Sequence, residues 1–121
     1  MVIEMHSEDI NSDKYYNKIP KRLQDIIPEF KSMWDEEDVY QMLFEFGEFL
    51  LENFENDKVC ANCFRFINEA LTVGGKKTED AIFLEVLHLI YPEPDLISKA
   101  RNKISPSLVD IFDKGYRDFY S

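Results

Sequence analysis

Two cysteines are the first residues in this sequence with clear chemical potential. Cys60 and Cys63 form a Cys-x-x-Cys pair, a spacing found in zinc sites and in redox-active disulfides. A zinc site needs four ligands, and a thioredoxin-type site lies between a strand and a helix. This pair instead falls on the apolar stripe of a predicted helix. We therefore predict two buried, reduced thiols, with metal binding or redox chemistry as the alternative.

The pair Glu85 and His88 is a second candidate, because Glu-x-x-His is half of the di-iron motif of four-helix bundles. The full motif has two such pairs and two further glutamates, and only one pair exists here. His6, the other histidine, is assigned to an N-terminal arm. We predict a surface or hydrogen-bonded core histidine at position 88, and we expect no metal, no cofactor and no enzymatic activity. A metal-dependent enzyme using Glu85, His88 and the glutamates of the second predicted helix is kept as a third hypothesis.

Acidic residues are concentrated in one segment. The net charge of the 121 residues is −10, and residues 29–57 contain ten acidic residues and one basic residue, a net charge of −9. Glu45, Glu48, Glu52 and Glu55 recur at spacings of three and four, which places them along one helix face. A solvated face usually mixes signs, because like charges at these spacings weaken a helix. The segment thus favours a basic protein partner over nucleic acid or an anionic membrane; a plain solvated face is the alternative.

The elements that position these groups are predicted to be helices. Apolar residues recur with helical periodicity, no segment alternates long enough to demand a strand, and the length fits one domain. We expect an all-α domain of five to six helices over residues 18–121, after a flexible arm over residues 1–17. A compact bundle and a short stack of antiparallel helical hairpins both fit. The predicted helices cover about 20–27, 35–55, 57–73, 78–91, 95–103 and 106–119.

Capping residues set the predicted boundaries. Pro20 suits a first helical position, and Asp35 and Thr78 suit the N-caps of the second and fourth helices. Gly74 ends the third helix. The fourth helix is apolar nearly all round, so it is predicted to be central. Apolar runs are too short to span a bilayer and the N-terminus lacks a secretory pattern, so a cytoplasmic location is expected.

Five short phrases follow one another along the predicted helices. They are Ile26-Ile27-Pro28-Glu29-Phe30, Leu43-Phe44-Glu45-Phe46, Cys63-Phe64-Arg65-Phe66-Ile67-Asn68-Glu69, Ile82-Phe83-Leu84-Glu85-Val86-Leu87 and Leu108-Val109-Asp110-Ile111-Phe112. Their order resembles small all-helical immunity proteins of bacterial polymorphic or contact-dependent toxin systems, and the similarity covers about residues 20–119. The resemblance implies a cytosolic antidote that binds and blocks a cognate toxin domain, with no shared catalytic residues.

An inhibitory role of this kind is physically coherent. Toxin domains that cut nucleic acid have basic active sites, which an acidic helix can occupy by mimicking phosphates and by electrostatic steering. Aromatic anchors beside carboxylates are common at binding hot spots. The alternative is a helical adaptor that binds basic or amphipathic peptides. The predicted partner-binding residues are Trp34, Asp35, Glu36, Glu37, Asp38, Tyr40, Glu45, Glu48 and Glu52.

Overall fold

The computed structural model describes residues 13–32 and 38–119, and these residues fold as helices in one compact domain. The all-α prediction is therefore confirmed. In these parts of the chain there are six α-helices and two 3₁₀ helices. The α-helices are α1 (Lys14–Ile26), α2 (Val39–Glu52), α3 (Asp57–Val73), α4 (Lys76–Glu85), α5 (Pro94–Lys103) and α6 (Val109–Phe119), and the 3₁₀ helices are Leu87–Leu89 and Pro106–Leu108.

The first four helices form a bundle, since each of α1 to α4 contacts the other three. α6 packs on α4, and the second 3₁₀ helix packs on α3. Aromatic side chains fill the middle of the bundle: the Phe46 ring meets Phe66 edge-on at 5.3 Å and Phe30 edge-on at 5.7 Å, between centroids. All three rings are buried. Such edge-to-face pairs add to the free energy of burial, so they tie α2 to α3 and to the segment after α1.

α1 begins earlier than the sequence predicted. It starts at Lys14, where the carboxylate of Asp13 accepts a hydrogen bond from a backbone N–H of the first turn. Pro20 lies inside the helix, so its predicted place at the first helical position was wrong. Residues 14–17 belong to α1 and not to the predicted arm. Residues 1–12, the rest of that arm, lie outside the described residues.

The buried stripe of α1 explains why the helix continues through a proline. Pro20 has no N–H to donate to the preceding turn, and an interior proline costs about 3 kcal/mol. Against this, Tyr15, Ile19, Leu23 and Ile26 recur at spacings of three and four and are all buried. Each large apolar side chain that is fully buried contributes about 1.5–3 kcal/mol, so packing against the bundle outweighs the lost hydrogen bond.

The sequence predicted the bounds of α3 better than those of α2. α3 has the predicted bounds and is capped by Asn56, whose side chain accepts from the N–H of Val59. α2 begins at Val39 with Asp38 as N-cap, and it ends at Glu52, before the predicted end near residue 55. The predicted cap, Asp35, lies outside the described residues.

α4 departs most from its prediction. It begins at Lys76, so Thr78 lies inside the helix and is not its N-cap; that prediction was wrong. Its α-helical part ends at Glu85 instead of near residue 91, and a 3₁₀ turn follows. Leu84 is 45% exposed, so the helix is apolar there but is not buried on every side. α4 nevertheless contacts α1, α2, α3 and α6, which gives it the predicted central place.

A polar clamp joins α1 to α3. The Arg22 guanidinium donates to both oxygens of Glu69, from Nε at 2.7 Å and from Nη2 at 2.9 Å. The buried Tyr15 hydroxyl also donates to Glu69, at 2.7 Å. The hydrogen bond from Arg22 lowers the pKa of Glu69 against the opposing effect of burial, and the Tyr15 bond adds to this. Glu69 thus stays ionised and accepts from three donor groups, which belong to two residues of another helix.

Replacing Glu69 with alanine is expected to lower the free energy of unfolding by about 1–3 kcal/mol, because the buried Tyr15 hydroxyl loses its acceptor. In a Tyr15→Phe background the same replacement should cost clearly less. Urea denaturation of the four proteins of this double-mutant cycle measures the difference. Equal costs in both backgrounds would contradict a Tyr15–Glu69 coupling.

Candidate protein-binding site

The acidic face of α2 consists of Glu45, Glu48 and Glu52, which lie on the side of the helix away from its buried stripe. The structure brings these three predicted residues together. They border a shallow depression of about 360 Å³. Glu29, which follows α1 in the chain, lies on the same depression, and Lys31 is the one basic residue among the described residues that line it.

The carboxylates of this face differ in their partners. Glu45 Oε1 accepts a hydrogen bond of 2.7 Å from the Ser32 hydroxyl. Glu48 and Glu52 are exposed, and neither forms an ion pair with any residue in 13–32 or 38–119. Glu55, which the sequence placed on the same face, lies beyond the end of α2, and its carboxylate is 3.4 Å from Lys99 Nζ. The face therefore has two carboxylates open to an external cation.

Two aromatic residues also line the depression. They are Phe30 and Phe49, whose ring centroids are 5.3 Å apart. Phe30 is buried, whereas Phe49 is half-buried and packs on the core from its edge. A partly exposed ring beside carboxylates suits lysine or arginine side chains, whose aliphatic stems cover apolar surface while their charged ends stay in water.

Phe44 is a feature of this surface that the sequence interpretation missed. Its side chain is 41% exposed, although large aromatic residues are usually buried. It lies one helical turn before Glu48, so the two are neighbours on the outside of α2. The signal was present in the sequence: Leu43 and Phe46 fit the buried stripe, and Phe44 between them does not. An exposed aromatic residue beside carboxylates strengthens the case for a binding surface.

The remaining predicted residues do not join the acidic face. Asp38 is exposed at the start of α2. Tyr40 is half-buried, with its ring 6.2 Å from the Tyr16 ring. Burial raises the pKa of Tyr40, and the nearby carboxylates of Asp80 and Glu85 raise it further, so Tyr40 faces α1 and α4. The predicted residues that lie outside the described residues are Trp34, Asp35, Glu36 and Glu37.

Cys60 and Cys63 lie in the core, as predicted. Both are buried on α3 with free thiols, away from the acidic face. Burial raises the pKa of both thiols, that of Cys63 to about 12. Because the thiolate is the nucleophile and the metal ligand, burial of this kind disfavours reaction or metal binding at either thiol.

His88 is exposed on the 3₁₀ helix after α4. The first of the two environments predicted for it, a surface position, is therefore the one observed. Burial raises the pKa of Glu85, and His88 opposes that shift. Within residues 13–32 and 38–119, no three His, Cys, Asp or Glu side chains are grouped so that they could hold a metal ion.

None of the helices in the described ranges is both long and apolar enough to cross a membrane.

Comparison with known proteins gives a family match. A family model described as "Domain of unknown function (DUF7674)" matches residues 20–121, which is most of the chain. No curated protein and no solved structure is significantly similar to the chain. The matched range includes the acidic face and all six α-helices apart from the first residues of α1.

Proposed function

We propose that this chain, which belongs to the family described as "Domain of unknown function (DUF7674)", is a cytosolic inhibitory binding protein of the immunity type. In this role its acidic face binds and blocks a basic, nuclease-like toxin domain. The observation that carries the proposal is the set of Glu45, Glu48 and Glu52 on one outward helix face, with Glu29 beside it and Glu48 and Glu52 without ion pairs among the described residues.

Electrostatic repulsion on this face supports a role in binding. Glu45 and Glu48 are three residues apart, and Glu48 and Glu52 are four apart, so each pair weakens the helix by about 0.2–0.5 kcal/mol. A face that served only solubility could mix charges and avoid this cost. A basic partner removes the repulsion on binding, and it also benefits from faster encounter through electrostatic steering.

The dimensions of the face suit a nuclease-type active site. From Glu45 to Glu52 the helix rises about 10 Å, at 1.5 Å per residue. Carboxylates along this length can meet several lysines or arginines that would otherwise bind consecutive phosphates. Phe44 adds an exposed aromatic ring for apolar contact, and aromatic residues are enriched among binding hot spots.

The test is the affinity of the chain for the protein encoded by the adjacent upstream gene. The double substitution Glu48→Lys and Glu52→Lys should weaken binding by about tenfold or more, since rim charges and their steering are reversed. The salt dependence of the dissociation constant should also become shallower, because fewer opposite charges meet. Calorimetry at two salt concentrations, together with rescue of cells that express the neighbouring protein, measures both effects.

A matched control is available at the other end of the chain. Glu93→Lys with Asp110→Lys changes the net charge by the same amount at exposed positions away from the acidic face. The control variant should bind the partner with the same affinity as the unaltered protein. An equal loss of affinity in both double variants would mean that the overall charge of the protein, and not this face, determines binding. Unchanged binding and salt dependence in the Glu48/Glu52 variant would overturn the electrostatic form of the proposal.

The aromatic residues beside the glutamates favour a second candidate, an adaptor that binds basic amphipathic peptides. The half-buried Phe49 and the exposed Phe44 offer rings to the apolar side of such a peptide, while the glutamates meet its basic side. An adaptor would bind unrelated basic amphipathic helices with similar affinity. An immunity protein would bind one partner at least about a hundredfold more tightly, a gap of roughly 2.7 kcal/mol. A panel of such helices separates the two functions.

A further inference from the structure

A larger cavity lies between the first half of α1 and the start of α4. Its volume is about 720 Å³, which is within the usual range for small-molecule sites. α1 contributes Lys14 and Lys18 to its walls, and α4 contributes Lys76 and Lys77. Four lysines thus surround one cavity in a chain whose net charge is −10.

Within the part of the chain that the structure describes, two of these lysines form an ion pair or a ring contact, and two do not. Lys76 Nζ lies 3.2 Å from an oxygen of Asp80, and Lys77 Nζ lies over an aromatic ring of α1, 4.3 Å from its centroid. Lys14 and Lys18 form no ion pair with any residue in the described ranges. Because they are four residues apart on a helix, their ammonium groups are neighbours on the same side.

The carboxylates of the cavity already have partners. Asp13 accepts hydrogen bonds from the backbone N–H of Thr78 at 2.6 Å and from its hydroxyl at 2.9 Å. Asp80 is paired with Lys76. Among the described residues, the lining has four lysines and two aspartates, a net charge of +2. Lys14 and Lys18 are the lysines of this lining that have neither a carboxylate partner nor a ring contact there.

The walls also contain apolar surface. Val73, at the end of α3, is 63% exposed, an unusual exposure for a β-branched apolar residue. The half-buried Tyr40 adds an aromatic ring that carries a hydroxyl. A ligand that fits these walls combines an anionic group with a ring or other apolar part.

We propose that this cavity binds a small organic dianion of the phosphate monoester class. The phosphate is held by Lys14 and Lys18, and the apolar part of the ligand lies against Val73 and Tyr40. A dianion matches the net charge of the lining, and charge-assisted hydrogen bonds from ammonium groups to phosphate oxygens are among the stronger polar contacts. The site is separate from the acidic face and does not depend on the function proposed for it.

Titration of the full chain with phenyl phosphate, followed by amide NMR, tests the proposal. Saturable shifts are expected at Gly75, Lys76 and Lys77, with a dissociation constant of about 1 mM or lower. Lys14→Gln with Lys18→Gln should raise that constant by about tenfold or more, through loss of the charged donors. Both positions are exposed on α1, so the fold is kept, as a thermal melt will check.

The controls test whether binding requires this cavity or only exposed lysines anywhere on the protein. Lys58→Gln with Lys103→Gln removes the same charge at exposed positions outside the cavity and should leave the constant unchanged. Benzoate, a monoanion with the same ring, should bind more weakly than phenyl phosphate, and benzyl alcohol should not bind. Absence of saturable shifts, equal loss in the two double variants, or equal binding of benzoate would overturn the proposal.

Discussion

Replacing Asp13 with alanine is expected to lower the free energy of unfolding by about 3–4 kcal/mol. Asp13 caps α1 through the N–H of Tyr16, and it also accepts both the N–H and the hydroxyl of Thr78 at the start of α4. Thr78 is fully buried, so its hydroxyl would be left without a partner. Loss of a cap costs about 1 kcal/mol, and each orphaned buried donor costs about 1–3 kcal/mol.

Asp38 provides the control for this prediction. It is also the aspartate at the N-cap position of a helix, but its side chain makes no capping hydrogen bond. Asp38→Ala should therefore change the free energy of unfolding by no more than about 0.5 kcal/mol, as is usual for surface substitutions. Chemical denaturation of both variants gives the comparison. Similar costs for the two aspartates would show that Asp13 does not join α1 to α4.

The same substitution has an expected pH dependence. Burial raises the pKa of Asp13, but hydrogen bonds from Gly75, Thr78 and Tyr16 outweigh it, and the pKa is lower than the ordinary value of 3.8. A carboxyl with a depressed pKa in the folded state stabilises the fold above its unfolded pKa, and this contribution is lost as pH falls through the folded value. The stability gap between the unaltered protein and Asp13→Ala should thus be constant at neutral pH and shrink below about pH 4. A gap that widens on acidification would contradict this sign.

Replacing Gly115 with alanine is the second large effect, an expected loss of about 2–3 kcal/mol. A Cβ at Gly115 would clash with the ring of Phe83 and lie 2.6 Å from the Tyr91 hydroxyl oxygen. Both side chains are buried and cannot move aside freely. The Tyr91 hydroxyl also donates to the carbonyl of Phe112 at 2.9 Å, a buried bond that the methyl group would disturb. Overpacking a filled core costs about 1–3 kcal/mol, sometimes more.

The sign of the change in the free energy of unfolding is informative, because the intrinsic helix preference of alanine over glycine predicts stabilisation. Alanine is favoured over glycine inside a helix by about 1 kcal/mol, so an α6 that did not pack here would be stabilised by Gly115→Ala. The double variant Gly115→Ala with Phe83→Leu makes room for the methyl group and should lose less than the sum of the single variants. Thermal denaturation followed by circular dichroism measures all three. A stabilised Gly115→Ala would contradict the packing of α6 on α4.

Several features of this protein were determined by the sequence alone, because they depend on residues close together in the chain. Helical periodicity predicted the all-α class and placed Glu45, Glu48 and Glu52 on one face. The end of α3 followed from Gly74, and the burial of Cys60 and Cys63 followed from the apolar stripe of the same helix. The shared face and the buried stripe depend on spacings of three and four residues, which a single helix already fixes.

Other features were decided by the tertiary structure. The start of α1 depends on Asp13, whose partner Thr78 is 65 residues away. Tyr40 was predicted to be an aromatic anchor for a partner beside the acidic segment, but it turns toward α1 and α4. The α-helical part of α4 ends at Glu85, where α2 approaches so closely that a Cβ at Gly47 would lie 3.0 Å from the Glu85 carbonyl oxygen. The lysine-lined cavity likewise combines α1 with α4. Local periodicity carries no information about which helices meet, so only the packed bundle could bring these groups together.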